Sequence, residues 1–530
     1  MKNKLKCNYA SILFVIILIF QLFAMVYWGT QKEWFHVDEL FTMEGSKARG
    51  YGMRYWDLEG EFYNQEHTRE EFFARLTTQE DDILINGGIT EFAQGLLERV
   101  FYYTLINTAS IISPGHFTKW IGIGMNLIFF ALAQLILYQV AKEMGDEKSA
   151  LLTTGIYGFS AGGISTAIYI RCYMLLTLTA LLTVFVYLKF MKCRMKRQAA
   201  GYMVCLYLLA FLGDRTHQFG VILFGLITAV FLLYMLIGKK FQKVLWLIIG
   251  YGGAALAGGA IILPKLVRFF KAGVAPLFYQ SVANISIETI KWNIYQMLEF
   301  AGDHLFVNVW GCITVCILLL LSLVYLGIKW WKKASERQFI IFMPALIAVG
   351  FYIVLILGGA VTWRYASAGY PFIILYLVLT INEVCRNVKR GRFLTGVFTV
   401  AAVAITLISF NEEHISELYK GEEELQEFFE EEYHGINGIM VHHDEKGRGE
   451  NWLYEAASLW PSDSSVLILQ NKVLREGELC YNRTDEKILL WLTVDYDRKE
   501  ALENFQVQTG YTDVKLICDT GHLFVYECNK

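Results

Sequence analysis

The sequence predicts an α-helical polytopic membrane protein, with about 11 transmembrane helices and a small C-terminal extracytoplasmic α/β domain. Three observations carry that reading. Of the 530 residues, 55% are hydrophobic and only 18% are charged, against about 25% charged in soluble domains. The apolar residues fall in blocks of about 20, the length of a helix that spans a bilayer core. Lys and Arg collect in every second connection between those blocks, and the chain beyond residue 411 changes character altogether.

The first block is Tyr9 to Tyr27, preceded by Lys2, Lys4 and Lys6. No small-residue cleavage site follows it; Trp28, Trp34 and Phe35 do, so it reads as an uncleaved first helix rather than a signal peptide. Later blocks run over 117–141, 148–168, 172–190, 200–214, 218–237, 243–263, 306–328, 338–359, 365–384 and 393–410. Basic residues follow the second, fourth, sixth, eighth and tenth of the eleven: Lys142 and Lys148; Lys189 to Arg197; Lys239 to Lys243; Lys329 to Arg337; Arg386 to Arg392. The positive-inside rule then sets these loops and the N-terminus in the cytoplasm. The opposite side receives a loop from about 29 to 116, a loop from about 264 to 305, and the tail. The sequence thus divides into a membrane body, 1–411, and a soluble extracytoplasmic domain, 412–530. Asp214, Arg215 and His217 interrupt the apolar pattern between two spans, which suits a hairpin with its polar tip at the outer face. Tyr102 to Ile112 is too short to span and is expected along the outer interface.

The tail holds 26 acidic and 11 basic residues, leaving 24 acidic and 36 basic for the membrane body. An acidic domain on a basic membrane body argues against nucleic acid as a partner. Glu412 to Glu432 reads as an acidic amphipathic helix. The runs GIMVHH, SVLILQ, ILLWLTV, VKLIC and HLFVYEC read as strands, with helical patterns at Asn451–Trp460 and Arg498–Val507. No phosphate loop or nucleophile elbow lies in the tail. His442, His443 and Asp444 read as polar residues ending a strand, with a weak metal site as the alternative. The ten cysteines show no metal spacing; a disulfide among Cys480, Cys518 and Cys528 is not deducible.

The residues with chemistry to offer gather on the outer side. Asp38 and Glu39 are adjacent carboxylates just beyond the first span, flanked by Trp34, Phe35, Leu40 and Phe41. A carboxylate against apolar surface can be tuned to take a proton from a hydroxyl; the plain alternative is an acidic pair at a helix end. Arg171 starts a long apolar helix at the outer boundary, between Tyr169 and Tyr173. Arg commonly snorkels at a helix end, but positive charge belongs on the inner side, so an outer arginine invites an anionic ligand such as phosphate. Arg364 repeats the situation, followed by Tyr365 and Pro371. Arg215, Thr216 and His217 form another outer polar group, and Lys265, Arg268 and Lys271 open the second loop at helical spacing. Cations together with a carboxylate base suit the transfer of a group from a lipid phosphate to a hydroxyl. The cations stabilise the departing phosphate and the carboxylate takes the proton.

On these pieces the chain resembles the polytopic membrane glycosyltransferases of the GT-C fold class, of the glycosyltransferase family 39 type. It is similar to protein O-mannosyltransferases and lipid A aminoarabinose transferases. The resemblance rests on Asp38-Glu39, Arg171 with Tyr173, Thr216-His217, and Arg364-Tyr365 followed by Pro371, in the family's order, over residues 9–385. It implies a sugar donor carried on a polyprenyl phosphate, an envelope glycan, lipid or protein acceptor, and a site in the cell membrane's outer face. Asp38 is then the catalytic base, with Glu39 beside it. Arg171, Tyr173, His217, Lys265, Arg268, Arg364 and Tyr365 are then the donor-phosphate residues. No cofactor is required by the sequence; Asp38 and Glu39 leave a divalent metal open, without a full ligand set. The chain departs from the family where relatives carry a His-Pro-Pro-Leu-Tyr-Tyr-like element. Here LERVFYYTLIN keeps Phe101, Tyr102, Tyr103 and Asn107 but has Glu98 and Arg99 and neither the His nor the prolines. Two readings of other classes compete: a transporter or flippase for an envelope lipid or polymer, and a non-catalytic membrane scaffold. Neither needs a carboxylate and phosphate-binding arginines on one face, and no internal repeat of the transporter kind is visible.

Overall fold

A computed structural model describes residues 9–47, 63–74, 76–88, 100–251, 285–332, 336–442, 450–477, 485–493, 498–521 and 523–530. The chain forms two compact units. One comprises residues 1–30, 100–102 and 122–416; the other comprises 31–99, 103–121 and 417–530.

The first unit is helical, and the protein is a multi-pass membrane protein. Among the described residues seven helices are long and apolar enough to cross a bilayer, or eight if one bent pair is a single span. The seven are Tyr9–Thr30, Lys119–Met144, Tyr173–Lys192, Gln218–Ile237, Glu336–Leu357, Trp363–Arg386 and Gly391–Ser409. The expected count of about 11 is larger for identifiable reasons. The block at 148–168 is two helices, Glu147–Phe159 and Ala161–Ile168, because Ser160 ends one in an extended conformation and caps the other, its Oγ accepting from Gly163 N at 3.1 Å. The block at 306–328 begins at Val309 and meets the helix Ile287–Leu305 at a 97° bend. Val307, with φ of +76°, makes that corner. The helix Lys196–Thr216 carries two basic residues at its start and Asp214 and Arg215 at its end. The block at 243–263 is described only as far as Tyr251.

The expected hairpin at residues 214–217 is present: Lys196–Thr216 and Gln218–Ile237 are joined through His217 alone. Gly213 and Gly220 allow the tight join. A Cβ at Gly220 would come within 2.1 Å of the Gly213 carbonyl oxygen.

The second unit holds a six-stranded mixed sheet. Its strands are β1 (Gln65–Thr68), β2 (Gly438–His442), β3 (Ser465–Gln470), β4 (Lys487–Thr493), β5 (Asp513–Asp519) and β6 (Leu523–Asn529), in spatial order β1-β3-β2-β4-β6-β5. β2 pairs in parallel with β3 and β4; the other pairs are antiparallel. The parallel pairs are linked through the helices Glu450–Ser458 and Asn471–Glu476, as parallel pairing requires. β4 reads as a continuous apolar run because it is buried on both faces, with Ile488 to Leu492 all fully buried. Its neighbours Ile439, Val441, Phe505 and Tyr511 complete that side of the core. At the ends of the sheet lie the polar β1 and the half-exposed β5, as edge strands tend to be.

The five tail strands match the expected runs. The sixth, β1, comes from the first long loop and pairs with β3 from Gln65↔Ile468 to Thr68↔Ser465. The expected helix over 412–432 is shorter: only Glu422–Glu432 is α-helical. Glu417 and Tyr419, with φ of +65° and +54°, break the pattern, and Gly421 in a left-handed conformation precedes the helix. Residues 101–109 form a helix followed by one 3-10 turn to Ile112. Asn107 on it is buried: its Oδ1 accepts from Leu84 N at 2.9 Å, and its Nδ2 donates to Ser46 O and Asp82 O at 2.8 Å each. That residue cross-links the loop from within.

Candidate active site

In the membrane unit the helix Ala161–Ile168 stops at Tyr169, which is extended, and the next helix starts at Tyr173. The short break between them presents Arg171 at the head of a long apolar helix. Its turn is fastened from two sides: Arg171 N donates to Tyr169 O at 2.7 Å, and Asn126 Nδ2 donates to the same oxygen at 2.6 Å. Asn126 is in turn held by Tyr102, whose hydroxyl donates to Asn126 Oδ1 at 3.0 Å. The rings of Tyr169 and Tyr173 lie parallel, with centroids 5.9 Å apart, and both are buried.

Arg364 reaches the same place from 193 residues away. Its Nη1 donates to the Tyr169 hydroxyl at 3.3 Å, and its guanidinium carbon lies 5.7 Å from the Tyr365 ring centre. Tyr173, His217 and Tyr365 form a triangle of rings with centroid distances of 5.5, 5.7 and 5.8 Å. His217 is oriented by its role as the cap of the helix Gln218–Ile237: its Nδ1 accepts from Phe219 N at 3.2 Å. The proton of the neutral ring is therefore on Nε2. Five of the expected donor-phosphate residues, Arg171, Tyr173, His217, Arg364 and Tyr365, thus share one cluster. Arg171, His217, Arg364 and Tyr365 are half-buried, reachable from outside the helical core. Such a group brings two arginines among aromatic rings, with the Arg364 guanidinium beside the Tyr365 ring, a setting suited to a phosphate monoester or diester.

Arg215 is engaged with its neighbour, its Nε and Nη2 donating to Asp214 Oδ2 at 3.1 and 3.0 Å, and Thr216 Oγ1 donates back to Leu212 O. Lys265, Arg268 and Lys271, with Glu98, Arg99, His443 and Asp444, lie outside the described residues.

Sequence reasoning missed what holds Arg364. Trp363 packs on the Tyr169 ring at 5.3 Å and edge-on against His304 at 5.2 Å. His304 is fastened at both ring nitrogens, to the Tyr370 hydroxyl at 2.8 Å and Ser416 Oγ at 2.9 Å. A histidine and an asparagine (His304, Asn126) inside apolar helices were the available signal.

In the second unit the helix Val37–Ser46 starts immediately after a capping box. His36 Nδ1 accepts from Asp38 N at 3.0 Å, while Glu39 Oε2 accepts from His36 N at 2.6 Å. The same Glu39 oxygen meets Lys32 Nζ at 2.9 Å, and both side chains are fully buried. Lys32 Nζ also donates to Glu417 O at 2.6 Å, and Lys119 Nζ donates to Lys32 O. Glu39 is therefore a buried structural anion. Asp38 is different: its carboxylate is 23% exposed, and it lies 3.9 Å from His36 Nδ1. That nitrogen already accepts from Asp38 N, so the contact is not an ion pair. The two adjacent carboxylates are divided, one committed to the fold and one presented at a surface. Among the described residues no three His, Cys, Asp or Glu side chains are grouped to hold a metal ion.

No protein-family model matches the chain, and no curated protein sequence does. Solved structures do. ArnT from Cupriavidus metallidurans, crystallised with undecaprenyl phosphate, is 12% identical, with 98% of each chain covered and a TM-score of 0.53. The oligosaccharyltransferase of Archaeoglobus fulgidus in its apo form is 12% identical, covering 87% of this chain and 65% of its own, at 0.51. The AglB oligosaccharyltransferase of the same organism, in complex with an inhibitory peptide and a dolichol-phosphate, is 11% identical, covering 97% and 74%, at 0.50. These likenesses establish the fold: the chain has the GT-C architecture of polytopic membrane glycosyltransferases.

Proposed function

We propose that this protein is a membrane glycosyltransferase that moves a sugar from a polyprenyl-phosphate donor to an extracytoplasmic hydroxyl. The observation that carries the reading is that Arg364 reaches the hydroxyl of Tyr169, two residues before Arg171, beside the rings of Tyr173, His217 and Tyr365. Neighbours of the same fold that hold undecaprenyl phosphate or dolichol-phosphate support it. In the step, the acceptor oxygen bonds to the anomeric carbon, and the bond from that carbon to the phosphate oxygen breaks. The electron pair leaves on the polyprenyl phosphate, where Arg171 and Arg364 stabilise the charge. The hydroxyl proton passes to the Asp38 carboxylate. Glu39 holds the helix that carries Asp38.

The test of the donor site is binding of undecaprenyl phosphate to the purified full chain. Hydrogen bonds to charged groups are worth about 1.5–3 kcal/mol, so Arg171→Lys and Arg364→Ala should each weaken binding by about tenfold or more. Unchanged affinity in both variants would return these arginines to a snorkelling role. The proposal also sets the N-terminus in the cytoplasm and residues 412–530 outside, on the strength of the alternating basic loops. A reporter active only outside the cytoplasm, fused after Lys530, is expected to be active; silence there with activity after Lys196 would reverse the topology.

A further inference from the structure

The second unit contains a cavity of about 330 Å³ lined by residues of two distant segments. Trp34, Phe35, His36, Val37 and Leu40 come from the start of the first loop; Tyr419, Glu422, Tyr454, Glu455 and Thr520 come from the tail. We infer that this cavity is a saccharide subsite, binding a sugar ring of the acceptor through the Trp34 and Tyr419 faces and hydroxyl donation to Glu422.

The lining dictates the ligand class. The tyrosine hydroxyls are already used, Tyr419 donating to Glu417 Oε2 at 2.8 Å and Tyr454 to Glu44 Oε2 at 3.2 Å. What the half-buried Tyr419 offers a guest is its ring surface; Tyr454 is fully buried. Trp34 is held edge-on between Phe35 and Phe73 at 5.7 and 5.8 Å, so it too is a fixed flat wall. The polar atoms are chiefly acceptors. Glu455 Oε1 takes the Thr520 hydroxyl at 2.6 Å. Glu422 Oε2 is shielded from solvent and receives no hydrogen bond from the described residues. A shielded acceptor without a donor is costly, and a ligand that donates removes that cost. Burial, with Glu455 and Glu33 nearby, pushes the Glu422 carboxyl up to about 7, consistent with a site short of donors.

A guest must therefore have apolar C–H faces for aromatic walls and hydroxyls that donate, on a body small enough for this volume, which is near the lower end of small-molecule sites. A sugar ring meets all three conditions. The binding claim stands by itself; that the sugar belongs to the acceptor rests on the transferase reading above. It narrows the acceptor class to a glycan.

The experiment is saturation-transfer NMR on the full chain in detergent. The probes are the methyl glycosides of glucose, galactose and N-acetylglucosamine, with sorbitol as a hydroxylated control that has no ring. Transfer to the ring protons of at least one glycoside and none to sorbitol is expected. Trp34→Ala and Glu422→Gln should each weaken that binding about tenfold, while Trp34→Phe, which keeps a flat wall, should retain most of it. Unfolding midpoints equal to the parent's show that the variants are folded. No transfer to any glycoside, or undiminished binding in folded Glu422→Gln, overturns the assignment. Glycoside binding without any sugar transfer would leave the subsite and remove the transferase reading. Sugar transfer whose acceptor KM ignores Glu422→Gln would do the reverse.

Discussion

Lys32 Nζ and Glu39 Oε2 meet at 2.9 Å with neither side chain exposed to solvent. Two charges buried together are tolerated only because each answers the other. Removing one partner leaves an uncompensated buried charge, which costs about 3–5 kcal/mol. Lys32→Met and Glu39→Leu are each expected to lower the unfolding midpoint of the purified protein strongly. The double variant should recover most of the loss, though not the part owed to the His36 N–H that Glu39 caps. Equal midpoints for parent and single variants would mean the pair does not hold the segment that carries Asp38.

The Glu422 carboxyl sets a pH window. Its ordinary value is 4.5 and the fold raises it to about 7, by burial first and by Glu455 and Glu33 next. Between those values the folded chain keeps a proton that the unfolded chain has released. This group's contribution to stability is therefore complete below pH 4.5 and falls as pH rises toward 7. Unfolding midpoints of parent and Glu422→Gln, measured from about pH 4.5 to 8, should diverge in the variant's favour as pH rises. Parallel curves would contradict the buried environment described for this residue.

The tail is not separable from the first loop. β1 has its only described strand partner in β3, and Lys32 has an acceptor in Glu417 O. Deleting residues 412–530 removes both. Limited proteolysis of such a truncation should cut within 31–88 at sites protected in the full chain. Protection equal to the parent's would show that the loop folds without the tail.

The sequence announced some of this more clearly than the rest. β4 and its neighbours were legible because ILLWL and GIMVH carry their burial in their composition. β1 was not: QEHT is short and polar, and it is a strand only because β3 offers an edge about 400 residues later. The helix expected from Glu412 was overread, since an acidic run at helical spacing says nothing of the positive φ at Glu417 and Tyr419. Arg171, His217 and Arg364 were legible as cations or polar residues at the ends of apolar blocks. The contacts of Arg364 with Tyr169 and of His217 with Tyr173 and Tyr365 are tertiary, and so are the supports from His304 and Trp363. The different fates of Asp38 and Glu39 depended on Lys32, whose burial no local pattern signals.

Under the proposed transfer, the division between those two carboxylates leaves Asp38 to act as the base. Glu39 is engaged by Lys32 and by the helix cap, whereas Asp38 is partly exposed on the same helix turn. Asp38→Asn keeps the shape and removes proton uptake. General-base catalysis is worth about 100- to 10,000-fold. The deciding measurement is turnover of Asp38→Asn with a polyprenyl-phosphate sugar donor and a glycan acceptor, alongside binding of undecaprenyl phosphate. Turnover is expected to fall by at least about 100-fold with binding retained; near-parental turnover in the folded variant would contradict the assignment of Asp38 as the base.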